Sequence, residues 1–474
     1  MASGENIVAM ASSNSSPGAI PRTSSASSPT SIDLTTLFAP PFFFAPFNRL
    51  HERNLLVAEP LGKDPVVWFC YAILPTLCLL VQAYLILTPG TRKHRRAMGA
   101  VTVGVMWGAW TSWRFHEFEF NAFNCGITIV FIHLAIKAIE WTLLEHHLVD
   151  PRMAAGRPKL VAAMDLCMNS RLLGLGAMGL DTLAGPPNAT LKAVHIERHL
   201  PKPSGRPTSR LGAIARHMVW VIGYYLFMDA LLATFRRVGG PLLLPGPVGA
   251  VKAYSYSSRF IMFPGVLDIE PYPFLVAYAV QACVPGIICG GLQLGYHLAA
   301  VVCLSSTFWE VDSWDVDLFD GPWKAQSLID LWGKRWHQLF RHQFVICSAA
   351  TLWLLRLPNT PYLLFPLTFL FSGALHSLGE LNMSSPVPQP FKLAAFFALT
   401  GVACMLEVVF KAITGKRVKG VAGRIWMWLF MFVVGRVAVD AWLDAGVAGC
   451  PLLPPGGPGE YVADWMLKYV FHEK

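Results

Sequence analysis

"VVWFCYAILPTLCLLVQAYLILT", residues 66–88, contains no charged side chain, and "TRKHRR" (91–96) follows at once. At about 1.5 Å per helical residue, such a run is long enough to cross a hydrocarbon core about 30 Å thick. The basic block behind it marks the cytosolic side, which sends the amino-terminal tail to the lumen. Further apolar runs occupy 97–113, 121–144, 211–235, 273–304, 361–379, 391–412 and 425–444, with a shorter one at 344–357.

These runs read as an all-α polytopic membrane protein with about 8–9 transmembrane helices. The composition agrees: of 474 residues, 54% are hydrophobic and only 14% charged, with a mean hydropathy of +0.45, far from a soluble domain. If every run crossed, the basic "KRVKGVAGR" (416–424) would fall in the lumen. Treating 344–357 as a re-entrant or interfacial piece keeps both 305–343 and 416–424 cytosolic, and leaves eight full spans. Residues 1–60 form a Ser/Pro-rich tail expected to be disordered, with no cleavable signal, and 61–474 form the membrane domain.

The net charge of +9 is scattered over loops and offers no basic face to a nucleic acid, so no nucleic-acid partner is expected. The ten cysteines lie mostly in apolar runs with no CxxC pair, the pattern of small buried hydrophobes. Neither a metal nor a bound cofactor is expected. No repeat or matched pair of broken helices suggests an inverted-repeat transporter. The oligomeric state is not legible.

Three polar features interrupt the apolar pattern. "FWEVDSWDVDLFDGPW" (308–323) carries Glu310, Asp312, Asp315, Asp317 and Asp320, either a solvated loop or, with Mg²⁺, a diphosphate site of a membrane prenyltransferase. That second reading requires another aspartate-rich motif, and Asp165 and Asp181 stand alone. Four histidines, His133, His217, His297 and His376, fall inside expected spans, where an ionisable group is either a packing residue or functional. "SLIDLWGKRWHQLFRHQF" (327–344) reads as a cytosolic amphipathic helix, with Leu328, Leu331, Trp332, Arg335, Trp336 and Leu339 at three- and four-residue spacing. Alone, it is most simply an interfacial anchor.

The pairing of "SLIDLWGKRWHQ" with "SGALH" (372–376) some forty residues later resembles the wax synthase branch of the membrane-bound O-acyltransferase family (MBOAT), especially its fungal members. The likeness is specific over 305–382. Leu331 stands where the family usually has Phe, Lys334 replaces an Arg, and His337 occupies a position that is Asn in plant relatives. "SRLLGLGAM" (170–178) matches another family segment only loosely.

The resemblance implies an acyl-CoA-dependent O-acyltransferase of the endoplasmic reticulum, with acyl-CoA as co-substrate and a lipophilic alcohol as acceptor. The acceptor would be a terpenoid, another secondary metabolite or a fatty alcohol, and the acyl group acetyl or longer. An alcohol attacking a thioester needs a base, and neutral imidazole suits that role. His376 is the expected general base and His337 the expected oxyanion donor. Lys334, Arg335, Trp332, Trp336 and Arg341 are the expected coenzyme A contacts. Ser372 shares a helix face with His376, either as a packing residue or as a nucleophile. The alternative is a non-enzymatic transporter or lipid-binding membrane protein.

Overall fold

Proline and glycine punctuate the apolar runs, and the helices begin and end where they stand. A computed structural model describes residues 69–112, 115, 118–144, 147, 148, 150–154, 156–170, 209–238, 260–306, 308–383 and 389–473. All of them belong to one compact unit. The 1–60 tail, nearly all of "SRLLGLGAM" and the whole basic 171–208 connection lie outside the described residues.

A π-turn at Phe69–Ile73 runs into α1 (Leu74–Ile86), followed by α2 (Arg92–Ser112), α3 (Asn121–Leu143) and α4 (Lys159–Met168). Then come α5 (Arg210–Val238), α6 (Pro273–Ser305), α7 (Arg341–Leu354), α8 (Pro361–Leu381) and α9 (Pro390–Thr414). The chain closes with α10 (Gly420–Val433), α11 (Gly435–Asp444) and α12 (Gly459–Tyr469). Helices α6, α8 and α9 each open on a proline at the first helical position, where a missing N–H is harmless and φ is already helical. Helix α9 stops at Gly415, whose φ of +69° makes a left-handed cap that few other residues tolerate.

Among the described residues six segments are long and apolar enough to cross a membrane: α3, α5, α6, α8, α9 and the α10–α11 pair. The protein is thus a multi-pass, all-α membrane protein. Its one described sheet is a short antiparallel ribbon pairing β1 (Phe260–Met262) with β2 (Phe471–Glu473). The first two expected spans are helical but fall short of that criterion. Helix α1 has only 13 residues, and α2 starts inside the basic block. Rather than forming a loop, "TRKHRR" enters the helix, where buried Arg95 donates to the Leu144 carbonyl at the end of α3. The short run 344–357 is covered by α7, 14 residues long.

The run 425–444 is two helices, broken at Val434. A break leaves carbonyls without their helical donors. Gln281 of α6 reaches across, its Nε2 donating to the Met431 and Phe432 carbonyls at 2.9 and 3.0 Å.

Helix α8 packs closely on α9. A Cβ at Gly401 would lie 2.9 Å from the Pro366 Cα, and one at Gly373 would lie 3.3 Å from the Ala394 Cα. The small residues of "SGALH" therefore admit a neighbouring helix. A buried core of Leu328, Leu331, Phe369, Leu393, Phe396 and Cys404, among others, locks the 327–335 segment onto this pair.

Candidate active site

The stretch expected as one amphipathic helix over 327–344 is instead a short helix, a π-turn, a break and then α7. Ser327 caps the start, its Oγ accepting the Asp330 N–H at 3.0 Å. Leu328–Asp330 is helical, Leu331–Arg335 is a π-turn, and Trp336 is extended with ψ 157°. The break has local causes. The Arg335 carbonyl accepts the Asp320 N–H at 3.0 Å, and Gln338 Nε2 donates to the Trp332 and Trp336 carbonyls at 3.2 and 2.6 Å. Those carbonyls are then taken, and the helix cannot continue through them. π-turns of this kind are frequent at functional sites.

The break brings Trp336, His337, Phe340 and Arg341 onto the wall of a cavity of about 1390 Å³, together with Trp332 and Lys334. Ser372 and His376 of α8 line the same cavity, with Phe396 and Phe397 of α9. Two motifs some forty residues apart thus share one chamber.

His376 rests on the Phe397 ring, centroids 4.5 Å apart. Its Nδ1 lies 2.8 Å from the Ser372 carbonyl oxygen. A carbonyl can only accept, so Nδ1 carries the hydrogen and Nε2 keeps its lone pair. That is the tautomer a general base needs. The ring is engaged by the backbone of Ser372, and no His376–Ser372 hydroxyl bond of a nucleophile pair forms.

His337 is ringed by Phe319, Trp336 and Phe340, and its Nδ1 is buried without a hydrogen-bond partner. Burial, helped by nearby His376, pushes its pKa down to about 3. The ring is therefore neutral at physiological pH, with one N–H to donate.

Trp332 Nε1 and Arg341 Nη1 are likewise buried and unpaired, and Arg341 pairs with no carboxylate among the described residues. Burial lowers the Arg341 pKa to about 10, which leaves it charged at neutral pH. Three unpaired polar atoms around one cavity are unusual in a finished core.

Lys334 lines the cavity at its exposed end, 3.2 Å from the Asp320 carboxylate. Arg335 does not line it. Its Nε binds Asp330 at 2.7 Å and its guanidinium approaches Asp320 at 3.8 Å, so it braces the loop.

The acidic cluster is dispersed among basic partners. Arg157 takes Glu310, Arg216 takes Asp315 at 3.0 Å, and Lys334 and Arg335 take Asp320. Asp317 lines the cavity, and the Asp312 side chain lies outside the described residues. Among the described residues no three carboxylates, histidines or cysteines converge as metal ligands.

The other intramembrane histidines have partners. His133 Nε2 meets Ser170 Oγ at 2.9 Å, and His217 Nδ1 meets His297 Nδ1 at 2.8 Å. Reading the sequence alone missed Glu407 of α9. Its carboxylate accepts the Leu328 and Ile329 N–H groups at 2.8 and 3.2 Å and Trp426 Nε1 at 3.0 Å. A lone acid in an apolar run was the available signal.

Residues 314–399 match the model of the membrane bound O-acyl transferase family, a stretch that contains both motifs. The chain is also similar to the O-Mevalon transferase yanI of Aspergillus niger. The two are 22% identical over 227 residues, which cover 44% of this chain and 47% of the relative. The match thus spans about half the length of that relative, and the family likeness of the motif region stands on the matched segment 314–399.

Proposed function

We propose that this chain is a membrane-bound O-acyltransferase that moves an acyl group from acyl-CoA to the hydroxyl of a lipophilic acceptor. One observation carries the reading: His376, with its Nε2 lone pair free, and His337, with an unpaired ring nitrogen, face one cavity. The matched family segment and the transferase relative support the same reaction class.

In this mechanism His376 Nε2 takes the proton of the acceptor hydroxyl as the oxygen attacks the thioester carbonyl carbon. The carbonyl π electrons move onto oxygen, and the His337 N–H stabilises the resulting oxyanion. Collapse of the intermediate breaks the carbon–sulfur bond, and the thiolate of coenzyme A recovers the proton from His376. No acyl-enzyme is required. A positioned base contributes about 10² to 10⁴ in rate, and an oxyanion donor about 10² to 10³. Arg341 and Lys334 bind the phosphates or carbonyls of coenzyme A, while Trp332 and Trp336 line its path.

The donor is acetyl-CoA or a longer acyl-CoA, and the acceptor a terpenoid, another secondary metabolite or a fatty alcohol. The endoplasmic reticulum, with coenzyme A thioesters on its cytosolic face, suits this chemistry. The test incubates membranes containing the protein with labelled acetyl- and palmitoyl-CoA and a panel of lipophilic alcohols. Acceptor-dependent thiol release that disappears in His376→Ala is the expected result. Release that ignores the acceptor, or full activity in His376→Ala, refutes the proposal.

A further inference from the structure

Helices α5 and α6 close the cavity on a second wall, and that wall has a polar group without a task. Gln293 is 6% exposed and lines the cavity, and its Oε1 has no hydrogen-bond partner. Tyr224 of α5 lines the same cavity. His297, one turn beyond Gln293, is 2% exposed and also lines the cavity. Its Nδ1 is held by His217 at 2.8 Å, and its ring stacks on Trp220 and Tyr224 at 6.0 and 5.7 Å. His297 is thereby set among aromatic rings one turn from the amide.

A buried amide oxygen with no donor is destabilising unless a ligand completes it. The surroundings say what kind of ligand. Asp317 also lines the cavity. Arg216 is engaged by Asp315 at 3.0 Å. Gln293 Oε1 can only accept, so an anion without a hydrogen would meet it oxygen against oxygen, whereas a neutral hydroxyl can donate to it and accept from a neighbour. Much of the remaining lining is apolar, including Phe227, Ile288, Phe344 and Met431. At about 1390 Å³ the chamber exceeds the roughly 300–1,000 Å³ of an ordinary ligand pocket, so it accommodates an acceptor beside an acyl chain.

We infer that Gln293, with Tyr224 and His297, forms a second subsite that binds a neutral hydroxyl of the acceptor remote from the one acylated. The preferred acceptors are then lipophilic diols or polyols. The inference rests on the proposed O-acyltransferase function for the identity of its ligand, and its test separates the two.

Binding is measured without donor, by the ligand dependence of thermal unfolding of the purified full chain in detergent. The probes are an α,ω-dodecanediol and dodecanol. A site built to hydrogen-bond a hydroxyl discriminates against an analogue that lacks it, so the diol should bind about tenfold tighter. Gln293→Met, nearly isosteric and apolar, should bring that ratio close to one, and Tyr224→Phe should lower it in part. Tyr224→Phe carries the test if Gln293→Met does not fold.

A ratio near one in the unaltered protein overturns the inference. So does an undiminished ratio in the folded variants, or a loss of coenzyme A binding in place of diol binding. Transfer is then assayed separately by adding acyl-CoA. Gln293-dependent diol binding without transfer supports the subsite and refutes the proposed function, so the two failures are distinguishable.

Discussion

Replacing Glu407 should disable the motif loop from a position one helix away. The carboxylate receives three hydrogen bonds, from the Leu328 and Ile329 N–H groups and the Trp426 indole. Hydrogen bonds to a carboxylate are worth about 1.5–3 kcal/mol each, and each buried donor left unpaired costs about 1–3 kcal/mol. Glu407→Leu removes all three at once, for a loss of roughly 3–6 kcal/mol after local relaxation. Glu407→Gln is milder. If its oxygen keeps the place of Oε1, its amide NH₂ faces the Ile329 N–H, donor against donor, for a loss of about 1.5–3 kcal/mol.

Both changes loosen Ser327–Arg335, which sets the place of His337, so transfer should fall at least tenfold in Glu407→Leu, since misplacement by about 1 Å can cost 10²-fold. The assay pairs the unfolding midpoint in detergent with kcat and KM on acyl-CoA. A positioning role predicts that kcat falls in Glu407→Gln while the folded fraction stays high. An unfolding midpoint and kcat in Glu407→Leu equal to those of the unaltered protein would refute the reasoning.

Other substitutions test the neighbouring steps. His376→Ala should lower transfer by about 10² to 10⁴ while the protein stays folded and membrane-bound, judged by size-exclusion profile and turnover. His337→Leu should cost about 10² to 10³ in kcat, and His337→Asn, which keeps an N–H donor, should recover part of it. His337 also contributes to pH dependence. Its folded pKa of about 3 lies below the ordinary value of about 6.5. The unfolded chain therefore binds the extra proton, and this contribution to stability, complete above about pH 6.5, is lost as pH falls toward 3. Comparing unfolding midpoints at about pH 7 and about pH 5 should show less acid sensitivity in His337→Asn, and an unchanged difference would refute the assignment. Arg341→Met should raise KM for acyl-CoA more than it lowers kcat, as expected for a residue that binds donor in both ground and transition states. Gly401→Leu should destabilise by about 1–3 kcal/mol or more through overpacking against Phe369 and Pro366, seen as a lowered unfolding midpoint.

Much of this was legible in residue order, because the signals are local. Apolar runs long enough to span, prolines at helix starts and Gly415 at a helix end act through one stretch of backbone and its solvent, so they survive without tertiary knowledge. The pairing of "LWGKRWH" with "SGALH" was visible too, since a motif keeps its spacing however the chain folds.

The 327–344 helix was misjudged for a reason the same logic explains. Its periodicity is helical, but Asp320, Gln338 and Glu407 take backbone groups that a continuing helix or its cap would otherwise use. Arg335 and Lys334 look equivalent in sequence, yet Asp330 holds Arg335 in the loop while Lys334 lines the chamber. Sequence alone determined that this is a helical membrane protein with two histidines of interest. Only the tertiary structure decided that those histidines share a cavity, which tautomer His376 holds, and that Gln293 Oε1 stands without a donor on the opposite helices. Hydrogen bonds and cavities join residues tens or hundreds of positions apart, and no local pattern encodes which distant group will satisfy which donor.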